Sequence, residues 1–497
     1  MSNLEHLPTY FDAILFQSRM HPNATAVIYG SRSFTYRTFC AHIESVTRRV
    51  HKESIPAGSR VAISVSEGYL KWLVVIALAR IGLVSVSVSG QARELEFVRA
   101  DVVITDGEVT PGRRYVEVDD KWLSAAAADL PPFEDFLHDP KDPCRIVLSS
   151  GTTGLPKKAL FSYGHLWART RGAARLYGLN ATTRLLSAMG IATIGGFWTP
   201  VMTWANGGTV ILTQPAKGQT WARVLIRGKP NMLFTSTAQL SEIVNSLPAD
   251  FWPMEHLAIY AAGSAMPLAL NRKTRLRLSQ LLFMLYGSTE AGSTAVAHAA
   301  IADTRPEFSG YVLPTVQVEI VDEQGNPVPR GTVGEVRIKA DGLVDEYLED
   351  TSANDGSFRD GWFHPGDAGS LDNEGGLSIL GRTRELMNFG GVKIAPDSIE
   401  AVLARVPGIG DMAVVALDRP GRKPQPCAAV VAGGEFDEEV LVRQYKKKYP
   451  TLPVIAVARV AAIPRNEMGK VMRTQLAASI QAEGQAGAAA IAESRPR

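Results

Sequence analysis

The feature that most constrains this chain is a hydrophobic run that breaks into hydroxyls and glycines. Residues 146–159 read IVLSSGTTGLPKKA. The run from Ile146 to Leu148 predicts a short buried strand. Glycines let backbone N–H groups approach an anion closely, and successive N–H groups form an anion-binding concavity. The threonine hydroxyls add donors and Lys157 adds a positive charge, so the segment predicts a loop that wraps a polyphosphate.

This loop is not a Walker loop, because no Gly-Lys-Ser/Thr sequence closes it. An ordinary Gly/Thr turn beside a solvated pair of lysines is the alternative that the motif alone leaves open.

The length and composition predict a globular enzyme of two or more domains. A chain of 497 residues is too long for one ordinary hydrophobic core. Hydrophobic residues make up 45% and charged residues 21%, and the net charge of +2 gives no reason to expect a nucleic-acid partner. The three scattered cysteines, Cys40, Cys144 and Cys427, indicate neither a disulfide framework nor a metal site and favour a reducing cytoplasm.

Neither a secretory signal nor a membrane span is expected. The first residues, MSNLEHLPTYFDAI, lack a basic segment that leads into an apolar one. The most hydrophobic window, residues 72–88, is interrupted by Arg80 and Gly82, so it fits a helix, a turn and a buried strand better than a span.

Helix-like and strand-like segments alternate along the first hundred residues. We expect a helix from Tyr36 to His51, a strand from Arg60 to Ser66, a helix from Tyr69 to Arg80 and a strand from Leu83 to Val88. This alternation predicts an α/β fold in which helices cover parallel sheets. Residues 316–338 alternate differently, with turns that predict an antiparallel, barrel-like region.

Two later strands also end in small or polar residues. Residues 257–267 read LAIYAAGSAMP, and residues 281–292 read LLFMLYGSTEAG. In open α/β sheets, ligands bind beyond the carboxyl ends of the strands, so both segments predict a binding site. For Glu290, the alternative is an acidic residue that merely favours a helix N-terminus.

Five motifs together resemble the AMP-forming adenylating superfamily of acyl-CoA synthetases, peptide-synthetase adenylation domains and firefly-type luciferases. They are SSGTTGLPK (149–157), YGSTE (286–290), PGD (365–367) with LGR (380–382), the segment TRELMNFGGVK (383–393), and Gly469-Lys470. The motifs follow the family's order over about residues 10–476, and the pattern is most similar to acyl- or aryl-CoA ligases.

The resemblance implies a large N-terminal domain of helix-covered sheets plus a barrel-like β region, followed by a small mobile α+β domain. We expect residues 1–383 to bind ATP and the acid, residues 384–476 to form a lid that carries the catalytic lysine, and residues 477–497 to form a flexible tail.

The resemblance also implies roles for individual residues. Tyr286 would stack on adenine, Glu290 would hold Mg²⁺, and Asp367 would accept the ribose hydroxyls. Lys470 would bridge the acid and the α-phosphate, with Thr152 and Glu290 as the other catalytic residues. The ATP- and AMP-binding set comprises Ser149, Ser150, Gly151, Thr153, Gly154, Lys157, Gly263, Ser264, Ala265, Tyr286, Gly287, Ser288, Thr289, Asp367 and Arg382.

The last domain would supply a hinge and a tunnel. Arg384 stands at the position of the hinge, where relatives carry aspartate or lysine, and Gly390 with Gly391 would line the pantetheine tunnel. Pro365 replaces a threonine of the family pattern, which removes a hydroxyl and a backbone donor.

The segment 185–212 would form one wall of the acyl pocket. The residues implied are Met189, Gly195, Phe197 and Trp198, and ordinary helix core is the alternative for each of them. The histidine that many relatives carry near position 190 is absent, and no acidic residue that could hold an α-ammonium group lies between Leu185 and Leu212. We therefore expect a monocarboxylic acid with an apolar or aromatic body, while Arg169, Arg171 and Arg175 leave open a partner for a second carboxylate.

The resulting prediction is an acid–thiol ligase that uses ATP, Mg²⁺ and CoA. It would activate a carboxylic acid as an acyl-adenylate and transfer the acyl group to the thiol of CoA. The alternatives are an adenylating enzyme that loads a carrier-protein pantetheine, a nucleotide-binding homologue without catalysis, and a luciferase-like oxygenase.

Overall fold

The computed structural model describes residues 9–109, 112–123, 133–149, 156–215, 220–305, 307–383, 386–389, 392–419, 422–465 and 470–482. Eight residues of the predicted site lie outside this part of the chain: Ser150, Gly151, Thr152, Thr153, Gly154, Arg384, Gly390 and Gly391.

The first sheet has six strands and is mainly parallel. Its strand order is β6-β5-β3-β4-β7-β8, and only the last pair, β7 and β8, is antiparallel. The elements of this part of the chain, of which β1 and β2 belong to the second sheet, are α1 (Tyr10–Met20), β1 (Thr25–Tyr29), β2 (Arg32–Thr35), α2 (Tyr36–Lys52), β3 (Arg60–Ser64), α3 (Gly68–Arg80), β4 (Val84–Ser87), α4 (Ala92–Val98), β5 (Val102–Thr105), β6 (Arg114–Glu117), β7 (Pro143–Ser149) and β8 (Lys157–Ser162).

The second, larger sheet begins with the parallel run β1-β10-β9-β11-β12-β13. Helices connect its strands. The elements are α5 (Tyr163–Tyr177), β9 (Arg184–Ser187), α6 (Ile194–Ala205), β10 (Thr209–Ile211), α7 (Trp221–Gly228), β11 (Met232–Ser236), α8 (Thr237–Asn245), β12 (Ala258–Ala262), α9 (Leu268–Arg277), β13 (Leu282–Ser288) and β14 (Gly292–His298).

From β13 onward the same sheet turns antiparallel, through β14, β15, β21, β20 and β17, and β16 pairs with β17. The predicted antiparallel region is therefore continuous with the parallel strands. Its elements are β15 (Phe308–Val312), β16 (Val316–Val321), β17 (Gly334–Ala340), α10 (Thr351–Ser357), β18 (Phe358–Arg359), β19 (Trp362–Phe363), β20 (Asp367–Leu371) and β21 (Gly376–Arg382).

The C-terminal part has a small sheet of its own, in the order β24-β25-β26. Two clusters of buried residues, all from Met387 onward, form its core. Its elements are β22 (Met387–Phe389), β23 (Val392–Ile394), α11 (Pro396–Leu403), β24 (Ile409–Arg419), β25 (Arg422–Ala432), α12 (Glu438–Lys448) and β26 (Ala456–Arg459).

Residues 473–482 are helical and extend past the start of the predicted tail at residue 477. Ala477 and Ile480 pack against the cluster that contains Leu476 and Val415, so apolar contacts extend the helix there.

The central helix α3 explains the most hydrophobic window of the sequence. Nearly all of its residues are buried, and Trp72 packs against Phe197 and Trp204 of α6. A helix that is apolar on every side belongs inside a protein core or a membrane. Among the described residues, no helix combines the length and the apolar character that crossing a membrane requires.

The four elements predicted from Tyr36 to Val88 form α2, β3, α3 and β4, each within two residues of its predicted ends. Local signals set several of these ends. Thr35 caps α2 by accepting from the N–H of Thr38, and Ser236 caps α8 in a capping box with Gln239. The cap at Ser236 ends β11 and starts α8 at the carboxyl edge of the large sheet.

An ion cluster around Glu349 joins the segment after β17 to the first sheet. Glu349 Oε1 lies 2.7 Å from Arg60 of β3, and Oε2 pairs with Lys158 of β8. The hydrogen bond from Lys158, assisted by Arg60, holds the pKa of Glu349 at about 2 instead of 4.5. The ionised carboxylate therefore stabilises the fold above pH 4.5, and this contribution is lost as the pH falls toward 2.

We expect Glu349→Gln to lower stability at pH 7 and to flatten the loss of stability on acidification. Urea unfolding midpoints, measured from pH 7 down to the lowest pH at which the wild type folds, give the comparison. Glu346→Gln, an exposed carboxylate in the same segment, is the matched control. Parallel pH curves for wild type and Glu349→Gln would contradict the role of this cluster.

Candidate active site

The two ends of the predicted phosphate loop meet across a hairpin. Ser149 ends β7 and pairs with Lys157, the first residue of β8. The ammonium group of Lys157 lies 4.3 Å from the centre of the Tyr347 ring, a cation–π contact. The hairpin therefore positions Lys157 beside a segment that is remote in sequence.

The residues that follow β12 lie at the carboxyl edge of the parallel run. Gly263 has φ +99°, a conformation that favours glycine, and the carbonyl of Ser264 accepts from the hydroxyl of Thr237 at 3.1 Å. The hydroxyl of Ser264 is buried and has no hydrogen-bond partner within the described part of the chain. A buried polar atom without a partner is rare, so this hydroxyl fits a place where a polar ligand binds.

The neighbouring strand β13 carries the second predicted segment. Tyr286, Gly287 and Ser288 form its end, Thr289 and Glu290 form the turn into β14, and Ser288 Oγ accepts from the N–H of Ala291 at 3.0 Å. Since β12 and β13 are parallel, their carboxyl ends lie side by side, and the two predicted segments are neighbours.

Tyr286, Asp367 and Arg382 form a hydrogen-bonded group. The Tyr286 hydroxyl donates to Asp367 Oδ2 at 2.5 Å, and Arg382 Nε lies 3.1 Å from Asp367 Oδ1. Asp367 and Arg382 face each other because they are register partners on β20 and β21. Burial and the Asp367 charge raise the pKa of Tyr286 well above its ordinary value, so its hydroxyl remains a donor. Three residues predicted for the nucleotide site are thus in contact.

Pro365, the departure from the family pattern, retains a role through its carbonyl oxygen, which accepts from Arg382 at 2.5 Å.

Glu290 is almost fully buried. It is held by two residues, Tyr347 and Arg169, that the sequence did not indicate as its neighbours. Tyr347 donates its hydroxyl to Glu290 Oε1 at 2.8 Å. Arg169, on α5, donates to the main-chain oxygens of Thr289, at 3.1 Å, and of Glu290. Sequence separations of 57 and 121 residues from Glu290 explain why no local motif revealed them.

Arg169 is committed to these backbone contacts. Its side chain is buried, its Nε donates to Gly342 O at 2.9 Å, and burial lowers the pKa of the guanidinium to about 9. A substrate carboxylate would have to displace these hydrogen bonds. Of the other two arginines suggested for a second carboxylate, Arg171 is exposed and the side chain of Arg175 lies outside the described part.

The four residues predicted for the acyl pocket fall into three environments. Met189 and Gly195 lie beside Phe234, since a Cβ added at Gly195 would lie 3.0 Å from the Met189 sulfur and 3.1 Å from the Phe234 ring. Phe197 is core, stacked on Trp72 and enclosed by Tyr10.

Trp198 is partly buried and points its indole N–H at Thr170 of α5, 3.5 Å away.

An aromatic cavity of about 180 Å³ lies between α5 and the sheet face of β12, β13 and β14. Phe234 adjoins two of its walls, with ring centres 6.4 Å from Tyr177 and 6.5 Å from Tyr260. Tyr177 also bonds Ser293 Oγ at 2.7 Å, next to the turn that carries Glu290. The lining includes Tyr177, Tyr260, Phe283, Leu285, Val296 and His298.

Lys470 lies in the C-terminal part, just before Val471, which forms an isolated β-bridge with Arg465. Arg473, three residues later, pairs with Asp397 and Glu400 of α11. These contacts attach the lysine segment to the small C-terminal sheet and helices.

Polar residues beyond the carboxyl ends of parallel strands are the arrangement by which α/β enzymes bind their ligands. The fold and the group around Tyr286, Asp367 and Glu290 define a protein of that class. The chain belongs to the AMP-binding enzyme family, whose sequence pattern matches residues 16–348. This match confirms the family predicted from the sequence and that the chain is an enzyme.

Similar proteins include CoA ligases. A 2-succinylbenzoate–CoA ligase of Bacillus cereus strain Q1 is 25% identical over 487 residues, which cover 95% of this chain and 98% of the relative. The fold is similar to that of o-succinylbenzoate CoA synthetase (MenE) from Bacillus subtilis in complex with its acyl-adenylate intermediate. The TM-score is 0.80 at 21% identity, and the match covers 95% of this chain and 98% of that one.

ATP-bound MatB from Rhodopseudomonas palustris has a TM-score of 0.81 at 21% identity, and the match covers 94% and 98% of the two chains. These neighbours confirm the predicted α/β fold class.

We expect Asp367→Asn to lower the free energy of unfolding by about 1–3 kcal/mol, because Arg382 and Tyr286 then face a neutral amide in a buried site. Urea unfolding measures the change. Glu319→Gln is the matched control, since Glu319 pairs with Arg337 in a more exposed position and should cost less than about 1 kcal/mol. Equal costs for the two variants would contradict the special burial of the Asp367 group.

Proposed function

We propose that this enzyme is an AMP-forming acid–thiol ligase that acts in two steps. In the first step, the acid carboxylate attacks the α-phosphorus of ATP, which forms an acyl-adenylate and releases pyrophosphate. In the second step, a thiol attacks the acyl carbon, which forms a thioester and releases AMP. The observation that carries this proposal is membership of the AMP-binding family together with the contact of Tyr286, Asp367 and Arg382 at the edge of the parallel strands.

The nucleotide would bind along this edge. Asp367 and Arg382 would hold the ribose, the Tyr286 ring would stack on adenine, and the Ser264 hydroxyl offers an unpaired polar group to the ligand. Lys157, with the loop residues Ser149 to Gly154, would hold the phosphates. Positioning and charge neutralisation of this kind are the main contributions that enzymes make to phosphoryl-type transfer.

Glu290 fits a magnesium site in which the protein supplies only one or two of the ligands. Mg²⁺ in nucleotide enzymes takes one or two carboxylates together with phosphate oxygens and water. Within the described residues there is no group of three or more His, Cys, Asp or Glu that could hold a metal by itself, and Glu290 supplies one buried carboxylate. When bound, the ion would neutralise charge on the phosphates.

The C-terminal domain would alternate between the two steps. Lys470 would approach the reacting carboxylate and α-phosphate in the first step. A swing of residues 384–476 about Arg384 would then replace Lys470 with the tunnel segment at Gly390 and Gly391. Residues 387–480 contribute clusters of apolar contacts separate from those of the larger sheets, which supports their movement as a unit.

CoA is the thiol that we propose. The curated relative of Bacillus cereus is named as a CoA ligase, and a Bacillus subtilis MenE structure holds ATP and a magnesium ion, which agree with the reaction class and co-substrates predicted from the sequence. A carrier-protein pantetheine offers the same thiol and is tested by substituting it for CoA. We also propose a cytoplasmic location, since the three cysteines are unpaired and reduced thiols persist there.

The acid that we propose is a monocarboxylate with an aromatic or apolar body, bound in the cavity beside Tyr177 and Tyr260. A dry cavity of roughly 150 Å³ accepts benzene, so about 180 Å³ provides room for one ring with a short substituent. The Bacillus cereus relative is named for 2-succinylbenzoate, an aryl acid that carries two carboxylates, so it supports the aryl body but not the single carboxylate. The commitment of Arg169 to backbone oxygens disfavours a second carboxylate.

We expect Lys470→Ala to reduce ATP–pyrophosphate exchange by roughly 10²–10³-fold, the scale of losing one preorganised donor. Thioester formation from supplied acyl-adenylate and CoA should be retained, because Lys470 would act only in the first step. The rate of each half-reaction is measured separately in the wild type and the variant. An equal loss in both rates would contradict a role for Lys470 in the first step alone.

We expect the enzyme to prefer phenylpropanoate over phenylalanine and over a dicarboxylate of similar length. The value of kcat/KM for each acid is measured first by pyrophosphate exchange and then by CoA-dependent AMP release. Burying an unpaired ammonium or an unpaired second carboxylate in this mainly aromatic cavity would cost several kcal/mol.

Filling the cavity with Val296→Phe should lower kcat/KM for phenylpropanoate roughly tenfold or more. Activity with acetate, which does not need the cavity, should be unchanged. If phenylalanine or the dicarboxylate were the best substrate, the assignment of the cavity would be wrong even with the adenylation chemistry intact.

A further inference from the structure

We propose that Tyr347 and Arg169 are positioning residues that hold Glu290 in place for the magnesium–nucleotide complex, an inference that rests on the proposed function. Neither residue belongs to the motifs that identify the site. Both reach Glu290 from elements outside the hairpin of β13 and β14, one at its side chain and the other at its backbone.

Arg169 fixes the backbone of the turn. Its guanidinium contacts the main-chain oxygens of Thr289, Glu290 and Gly342, and its face lies 4.7 Å from the centre of the Phe161 ring. Burying a guanidinium among neutral acceptors is costly. The planar fork of donors suits this task, since one side chain fixes three oxygens from two separate segments.

Tyr347 fixes the carboxylate. Its side chain is buried, and its hydroxyl donates to Glu290 Oε1 at 2.8 Å. Its ring also lies under the Lys157 ammonium, so one side chain contacts both the phosphate-loop lysine and the proposed metal carboxylate.

The position of Tyr347 is itself strongly determined. Its N–H donates to the side-chain oxygen of Asn354 at 2.6 Å, and its carbonyl accepts from the Asn354 amide at 2.8 Å. The next residue, Leu348, donates to Lys158 O at 2.8 Å, and Glu349 joins the ion cluster described above. A donor held this firmly limits the rotamers that Glu290 can adopt.

Gly342 allows the close approach on which the Arg169 contact depends. It has φ +74°, and a Cβ at this position would lie 2.7 Å from His165 O and 2.8 Å from Arg169 Cγ. A side chain there would therefore push against the arginine without removing its charge or its donors.

Groups that orient a metal ligand through a hydrogen bond contribute to metal affinity, and their loss costs roughly 10–100-fold. Tyr347→Phe removes only the hydroxyl. We expect it to raise the Mg²⁺ concentration needed for half of the ATP-induced thermal stabilisation by roughly 10-fold or more. Differential scanning fluorimetry of the full chain, at fixed ATP and varied Mg²⁺, measures this without relying on turnover.

Tyr36→Phe is the matched control. Tyr36 is also a buried tyrosine, and its hydroxyl bonds the carbonyl oxygens of Trp204 and Gly208, away from Glu290. It should lower the melting temperature without ligand but leave the Mg²⁺ requirement unchanged. Gly342→Ala tests the Arg169 side and should raise the Mg²⁺ requirement in the same direction as Tyr347→Phe.

The outcomes separate this proposal from the function on which it rests. If the wild type gains no stability from ATP with Mg²⁺, both the proposed function and this inference fail. If the wild type responds and both Tyr347→Phe and Gly342→Ala keep its Mg²⁺ requirement, the two residues only support the fold, and the positioning role is overturned while the ligase proposal stands.

Discussion

The packing of α3 is the constraint on which the rest of the structure depends. This helix is buried on nearly every side and lies in a core that takes side chains from both large sheets, such as Ile63 of β3 and Leu185 of β9. A helix with no polar face must be enclosed, so the two sheets pack around a common core. That arrangement brings the β7–β8 hairpin, which carries one motif, toward the large sheet that carries the YGSTE, PGD and LGR motifs.

Helix α5 connects this framework to the site. It starts directly after β8, donates through Arg169 to the turn that holds Glu290, and reaches the aromatic cavity at Tyr177. One helix thus borders both the proposed metal carboxylate and the proposed place of the acid. Its position is determined by packing, since Leu166 belongs to the same core as α3. The turn at Glu290 and one wall of the cavity therefore contact a packed helix, which suits the proposed catalysis by positioning.

The segment from Gly342 to Glu349 connects distant parts of the chain. It contacts Arg169 through Gly342, Glu290 through Tyr347, and the first sheet through Glu349. This segment therefore joins the Glu349 ion cluster on the first sheet to the Glu290 carboxylate beside the second sheet. If Glu290 binds magnesium as proposed, stability and magnesium binding should be coupled through these eight residues.

The sequence by itself determined the α/β class and the elements from α2 to β4, because these follow from local periodicity and turn residues. The phosphate loop was indicated by its run of glycine and hydroxyl residues, and the other motifs by their resemblance to the family. Tyr286, Asp367 and Arg382 were identified because their motifs resemble those of the adenylating superfamily, and their mutual contact depends on strand register.

Only the tertiary structure decided which residues surround Glu290, that Phe197 is core while Met189 and Gly195 adjoin Phe234, and that the helix at residues 473–482 continues past residue 477. The physical reason is that burial and hydrogen-bond partners arise from residues far apart in the chain. No local pattern encodes that Arg169 and Tyr347 meet the same carboxylate residue.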